Sequence, residues 1–177
     1  NRRFESRPEV LGHVEAMVKR DRNHPSVVMW SLFNEEPMQG TKEGGQMFRR
    51  MKQTVLKLDD SRIVTGAMNG GYNDENGAAI YMDATGINYG IPGGVLEYRR
   101  RYLYSSNAVY GSENNSAVTT RGCYKTDKNA HTLACYDEEQ VPWGQLIKDT
   151  WKFTREHDWF GGIFIWTGFD YRGEPTP

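Results

Sequence analysis

The apolar run "VVMWSLF", residues 27–33, ends on Asn34, Glu35 and Glu36. Charge at the tip of a hydrophobic segment is costly to hold, because partial burial disfavours the ionised form. That cost is tolerated where the charge does chemistry. A second carboxylate in a comparable setting is Glu113, which closes the run "NAVYGSE". Two carboxyl groups brought together can divide labour. One, kept protonated, gives up a proton; the other, ionised, accepts one or attacks an electrophilic carbon. Asn69, Tyr89 and Trp166 also sit at or beside the ends of apolar runs. Metal chemistry has no comparable support: the four histidines and two cysteines show no ligand spacing.

Hydrophobic periodicity supplies the elements that must carry these residues. Val10, Leu11, Val14, Met17 and Val18 share one helical face in "SRPEVLGHVEAMVKRD", with Ser6 and Glu9 as a capping box. "SVVMWSLF" reads as a strand buried on both faces. Met47, Phe48, Met51, Val55 and Leu58 recur at helical spacing, and "RIVTGAM" is a strand. A Gly- and Asn-rich connection leads to the strand "ATGINYG", a helix over "GVLEYRRRYLYS" and the strand "NAVYGSE". A long polar connection runs from about Asn114 to Pro142, a length that often serves function. Then come a helix, "WGQLIKDTWKFTREHD", and a last strand, "FGGIFIWTGFD".

Alternation of this kind predicts an α/β fold with a parallel sheet: five strands and four connecting helical segments after an initial helix. A doubly wound sheet fits the count, but no strand–helix turn carries a GxGxxG or P-loop pattern. Polar chemistry at the C-terminal end of strand after strand is the (β/α)₈ TIM-barrel distribution. Five strands cannot close a barrel, so the expectation is a partial one, strands four to eight, truncated at both ends of the chain. Its open edges and apolar faces are expected to cause self-association of the segment expressed alone.

The 177 residues carry a net charge of −1, with 37% hydrophobic residues, enough for one domain with a core. Near-neutral charge without a basic stripe argues against nucleic acid as a partner. No apolar stretch approaches the roughly 20 residues that span a bilayer. Cys123 and Cys135 lie in a polar stretch, where a loop disulfide and two free thiols are both open.

"DRNHPSVVMWSLFNE", Asp21–Glu35, resembles the acid/base signature of glycoside hydrolase family 2. "WTGFDYRGEPTP" resembles its β-galactosidase branch, and "VYGSENNSAVTTRG" holds Glu113 where the family's seventh strand ends. The resemblance implies that Glu35 is the general acid/base, at the end of barrel strand four, and that Asn34 holds the sugar 2-hydroxyl. It implies that Glu113, ending strand seven, is the nucleophile of a retaining exo-glycosidase. Tyr89 would hydrogen-bond that nucleophile, Trp166 would stack on the sugar, and Asp170 would bond a hydroxyl. Register against the Asn-Glu ending selects Glu35 over Glu36.

The activity so implied is hydrolysis of terminal β-D-galactosyl residues. A β-glucuronidase, a β-mannosidase or a non-catalytic carbohydrate-binding barrel are the alternatives. The glucuronidase branch's Asn-x-Lys element is not visible, and its loop can lie beyond residue 177. Carbohydrate is the expected partner, together with the first barrel strands and accessory β-sandwich domains. No cofactor is required by these residues, and any Mg²⁺ or Na⁺ would be held by residues outside this chain. Compartment and oligomeric state stay open.

Overall fold

The computed structural model describes residues 8–101, 108–136 and 138–169. In chain order the elements are α1 (Pro8–Asp21), β1 (Met29–Asn34), α2 (Lys42–Leu56), β2 (Ile63–Met68), a one-turn 3₁₀ helix (Ala78–Tyr81) and β3 (Ala84–Asn88). They continue with α3 (Gly93–Arg101), β4 (Ala108–Asn115), α4 (Ile147–Glu156) and β5 (Phe160–Trp166). All strand pairs are parallel, and the spatial order β1-β2-β3-β4-β5 repeats the chain order. A doubly wound sheet reverses direction partway through that order; an unbroken succession is an arc of a (β/α)₈ barrel. The expected architecture is therefore the observed one.

Local chemistry explains most boundaries. The Thr41 hydroxyl caps α2, accepting from the Gly44 N–H at 3.1 Å. Met47, Phe48, Met51 and Val55 then form its buried stripe. In β2 every residue after Ile63 is buried, as a central parallel strand requires. The second connecting segment, between β2 and β3, carries only the 3₁₀ turn, because "NGGYNDENG" offers no apolar face for an α-helix to bury. The Ser6 half of the proposed capping box and Asp170 lie outside the described residues.

Between sheet and helices lies the main core, with Val18, Phe48, Val64, Ile87, Val95 and Val109 among its buried members. On the other face of the sheet, Thr65 Oγ1 and Tyr110 OH share a hydrogen bond at 3.0 Å. Phe164 meets the Tyr110 ring edge-on at 5.9 Å. The sheet stays open, with β1 and β5 at its edges among the described residues, and Phe164 and Ile165 are exposed.

At the N-terminal ends of the strands, Asp59 gathers Ser61, Trp30 and Arg62. Ser61 Oγ donates to its Oδ1 at 2.6 Å, while Trp30 Nε1 and Arg62 Nη1 donate to Oδ2 at 2.9 and 2.6 Å. The Ser61 hydroxyl first, then the indole and the guanidinium, hold this carboxyl well below the ordinary range against the opposing effect of burial. Arg62 also reaches the carbonyls of Val27 and His24, at 2.7 and 3.4 Å. A depressed folded-state pKa means stability present above the unfolded value and lost as pH falls through the folded one. In the full-length protein, Asp59→Ala should cost about 3 kcal/mol at pH 7 by stranding Arg62. That loss should shrink towards acid, as read by urea unfolding at several pH values.

After β4, which runs two residues beyond the predicted end, the long connection carries an antiparallel bridge between Asp127 and Thr132. Cys135 N–H donates to the Cys123 carbonyl at 2.7 Å, and both thiols are free.

Candidate active site

Glu35 follows β1 directly, with a left-handed backbone (φ 53°) that a glutamate adopts only when its surroundings insist. The insistence comes from β2: Glu35 N–H donates to the Ala67 carbonyl at 2.9 Å, extending the parallel ladder past a register shift. Tyr89 repeats the device after β3, with φ 59° and its N–H on the Glu113 carbonyl at 2.9 Å. Each strand end is thus fixed by its neighbour, and the side chains are aimed from rigid backbone.

Asn34, Glu35, Tyr89 and Glu113 are brought together. Tyr89 OH donates a hydrogen bond to Glu113 Oε1. The amide of Asn88 lies between the two glutamates, with its Nδ2 2.8 Å from Glu35 Oε1 and 3.3 Å from Glu113 Oε2. Oxygens that share one nitrogen at those distances are no more than about 6 Å apart. Asn88 Nδ2 also reaches Asn34 Oδ1 at 2.9 Å, and Ser112 Oγ donates to Asn88 Oδ1 at 2.6 Å.

Burial, and then the negative charge of Glu35, push the Glu113 carboxyl above its ordinary range. The Tyr89 donor works against that by favouring the ionised form. The two carboxyls face each other across one amide, with Glu113 half-buried. The arrangement can therefore hold a proton donor and a carboxylate nucleophile side by side.

Asn88 and Ser112 were missed by the sequence reading. Asn88 is 3% exposed and ends β3 as Asn34 ends β1, so the same signal, an amide closing an apolar run, was available. Tyr89 beside it took the assignment. Glu36 stands apart from the cluster: its Oε2 has no partner among the described residues, and it lines a cavity of about 20 Å³ with Phe33, Met38, Met47 and Met51. Asn69 also lies apart, accepting from Gln39 Nε2 at 2.6 Å between rim loops. Trp166 pairs in register with Asn115, two residues past Glu113, and is 42% exposed at the same rim. Among the described residues no three His, Cys, Asp or Glu side chains converge to hold a metal. No helix there is long and apolar enough to cross a membrane.

Residues 3–167 match the family model described as glycosyl hydrolases family 2, TIM barrel domain. The chain belongs to glycosyl hydrolase family 2. It is 30% identical to the β-galactosidase BoGH2A of Bacteroides ovatus, over 90% of this chain and 24% of that protein. It is 42% identical to the β-glucuronidase of Canis lupus familiaris over a shorter stretch, 45% of this chain and 12% of the relative. Among solved structures, a family 2 member from Bacteroides cellulosilyticus superposes with a TM-score of 0.66 at 29% identity. That match covers 91% of this chain and 18% of the other. The chain thus spans about a quarter or less of the length of these family 2 relatives. Family membership makes the domain a glycoside hydrolase barrel.

Proposed function

We propose that this barrel segment belongs to a retaining exo-β-galactosidase. Glu113 attacks the anomeric carbon while Glu35 protonates the departing oxygen. The glycosyl–Glu113 ester is then hydrolysed by a water that Glu35 deprotonates. The observation that carries the reading is the placement of both carboxyls on the single Asn88 amide. Retention needs a separation of about 5–5.5 Å, whereas inversion leaves roughly 6.5–9.5 Å for a water. An upper bound of about 6 Å between one oxygen of each carboxyl admits the retaining separation.

Once the sugar is bonded to Glu113, the negative charge facing Glu35 is gone, and Glu35 takes the proton of the incoming water. Asn34 would hold the 2-hydroxyl, Trp166 would stack on the apolar face of the sugar, and Asp170 would bond another hydroxyl. The motif "WTGFDYRGEPTP" and the resemblance to the Bacteroides ovatus enzyme support galactose.

The second reading is a β-glucuronidase, favoured by the higher local identity to the canine enzyme. A panel of 4-nitrophenyl glycosides on the full-length enzyme separates the two. Galactoside turnover is expected to exceed glucuronide and mannoside turnover by at least roughly 10²-fold in kcat/KM, the discrimination a site achieves when its polar groups are matched to one sugar. A glucuronide preference would replace the sugar assignment, and no turnover of any glycoside would favour a binding barrel.

A further inference from the structure

We infer that Asn88, steadied by Ser112, is a positioning residue that orders both glutamates and fixes the hydrogen-bond polarity of Asn34. The inference rests on the glycosidase reading of Glu35 and Glu113 and deepens it.

The argument is one of donors and acceptors. An ionised carboxylate accepts hydrogen bonds and donates none. Glu113 is ionised as the nucleophile, so the Asn88 atom that faces its Oε2 must be the NH₂ group, which also reaches Glu35 Oε1. Its Oδ1 then faces Ser112, whose hydroxyl must donate, at 2.6 Å. The atom of Asn34 that meets the same NH₂ group, at 2.9 Å, must be Oδ1. The charge of the glutamates thereby propagates through two amides, and the Nδ2 donors of Asn34 are left for a ligand oxygen. Asn34 is itself exposed, so a substrate can reach it. A sugar hydroxyl at that position is consequently recognised as an acceptor.

The stoichiometry adds a second consequence. Asn88 Nδ2 has two hydrogens and three acceptors within reach: Asn34 at 2.9 Å, Glu35 at 2.8 Å and Glu113 at 3.3 Å. When Glu113 becomes an ester its demand for a donor falls. Both hydrogens can then serve Asn34 and Glu35, favouring the ionised Glu35 that must act as base. Burial to 3% exposure keeps water from competing for this amide.

Ser112 can take its place because Gly86, on the neighbouring strand, has no side chain. A Cβ there would stand 2.6 Å from Ser112 Oγ and 2.9 Å from the Gly66 carbonyl. The glycine is thus a packing requirement of the amide's support.

The test uses the full-length enzyme and whichever 4-nitrophenyl galactoside or glucuronide it hydrolyses, with the matching 2-deoxy glycoside. Azide rescue of Glu113→Gly, run first, examines the glycosidase reading by itself; without rescue both that reading and this inference fall. With rescue in hand, Asn88→Ala should lower kcat/KM by about 10²-fold, the scale of one preorganised donor. On the 2-deoxy substrate the loss should be several-fold smaller, because Asn34 then has no hydroxyl to hold. Removing a donor from carboxylates disfavours their ionised forms, so the acid limb of the pH profile should move to higher pH. Ser112→Ala should shift it the same way with a loss of roughly 5- to 10-fold, and it stands in if Asn88→Ala fails to fold. Unchanged pH limits with equal losses on both substrates, or activity within about two-fold of the parent, would overturn the inference.

Discussion

Replacing Glu113 with glycine is expected to lower turnover of an aryl β-glycoside by on the order of 10⁵-fold, and azide is expected to restore much of it. The variant removes the group that forms a bond to the anomeric carbon but leaves Glu35, Asn88 and Tyr89 around the gap. Azide entering that gap attacks from the nucleophile's side, and its nitrogen bonds to carbon as the aryloxide departs. The product should be the glycosyl azide of inverted anomeric configuration, identifiable by NMR. A folded variant that azide does not rescue would move the nucleophile elsewhere. The parent's pH profile carries related information. Burial and the facing Glu35 raise Glu113. A step that needs it ionised should therefore fail as pH falls through a value above the ordinary carboxylate range of about 4.

Substitution of Glu35 should separate substrates by leaving group. Glu35→Ala is expected to cost about 10²- to 10⁴-fold on glycosides with poor leaving groups, the usual scale of general acid catalysis. Formation of the glycosyl-enzyme from a dinitrophenyl glycoside, whose phenolate departs unprotonated, should be little affected. Its turnover should then stall at hydrolysis of the ester, visible as a burst in stopped-flow absorbance. Equal losses on both substrates would remove Glu35 from the proton-donor role. Glu35→Gln should also lower the acid limb, because it deletes the charge that helps to raise Glu113. The shift should be incomplete, since burial is the larger cause and remains.

A correct reading of the fold was available early because apolar periodicity is written locally. The five strands, α1 and α2 follow from apolar periodicity. The 3₁₀ turn at Ala78 was not legible as a helix, since "NGGYNDENG" has turn composition and the turn is ordered by burial of Ala78 and Ala79 and by the Ala78 N–H on the Gln39 carbonyl at 2.8 Å. Trp30 lies in an apolar run and is buried. Its hydrogen bond to Asp59 joins residues 29 positions apart and has no sequence signature.

The sequence by itself determined which strand ends carry carboxylates, amides and aromatic rings, because residue type at the close of an apolar run is local information. It also determined the family, through a long ordered signature around Asn34 and Glu35. Only the tertiary structure decided that one buried amide, Asn88, lies within hydrogen-bond reach of both glutamates, and that Glu36 turns aside to a cavity. Those facts depend on where parallel strands end relative to one another. That register is set by backbone hydrogen bonds between Glu35 and Ala67 and between Tyr89 and Glu113, pairs at least 24 residues apart in the chain. Spacing along a polypeptide says nothing of such bonds until the sheet has formed.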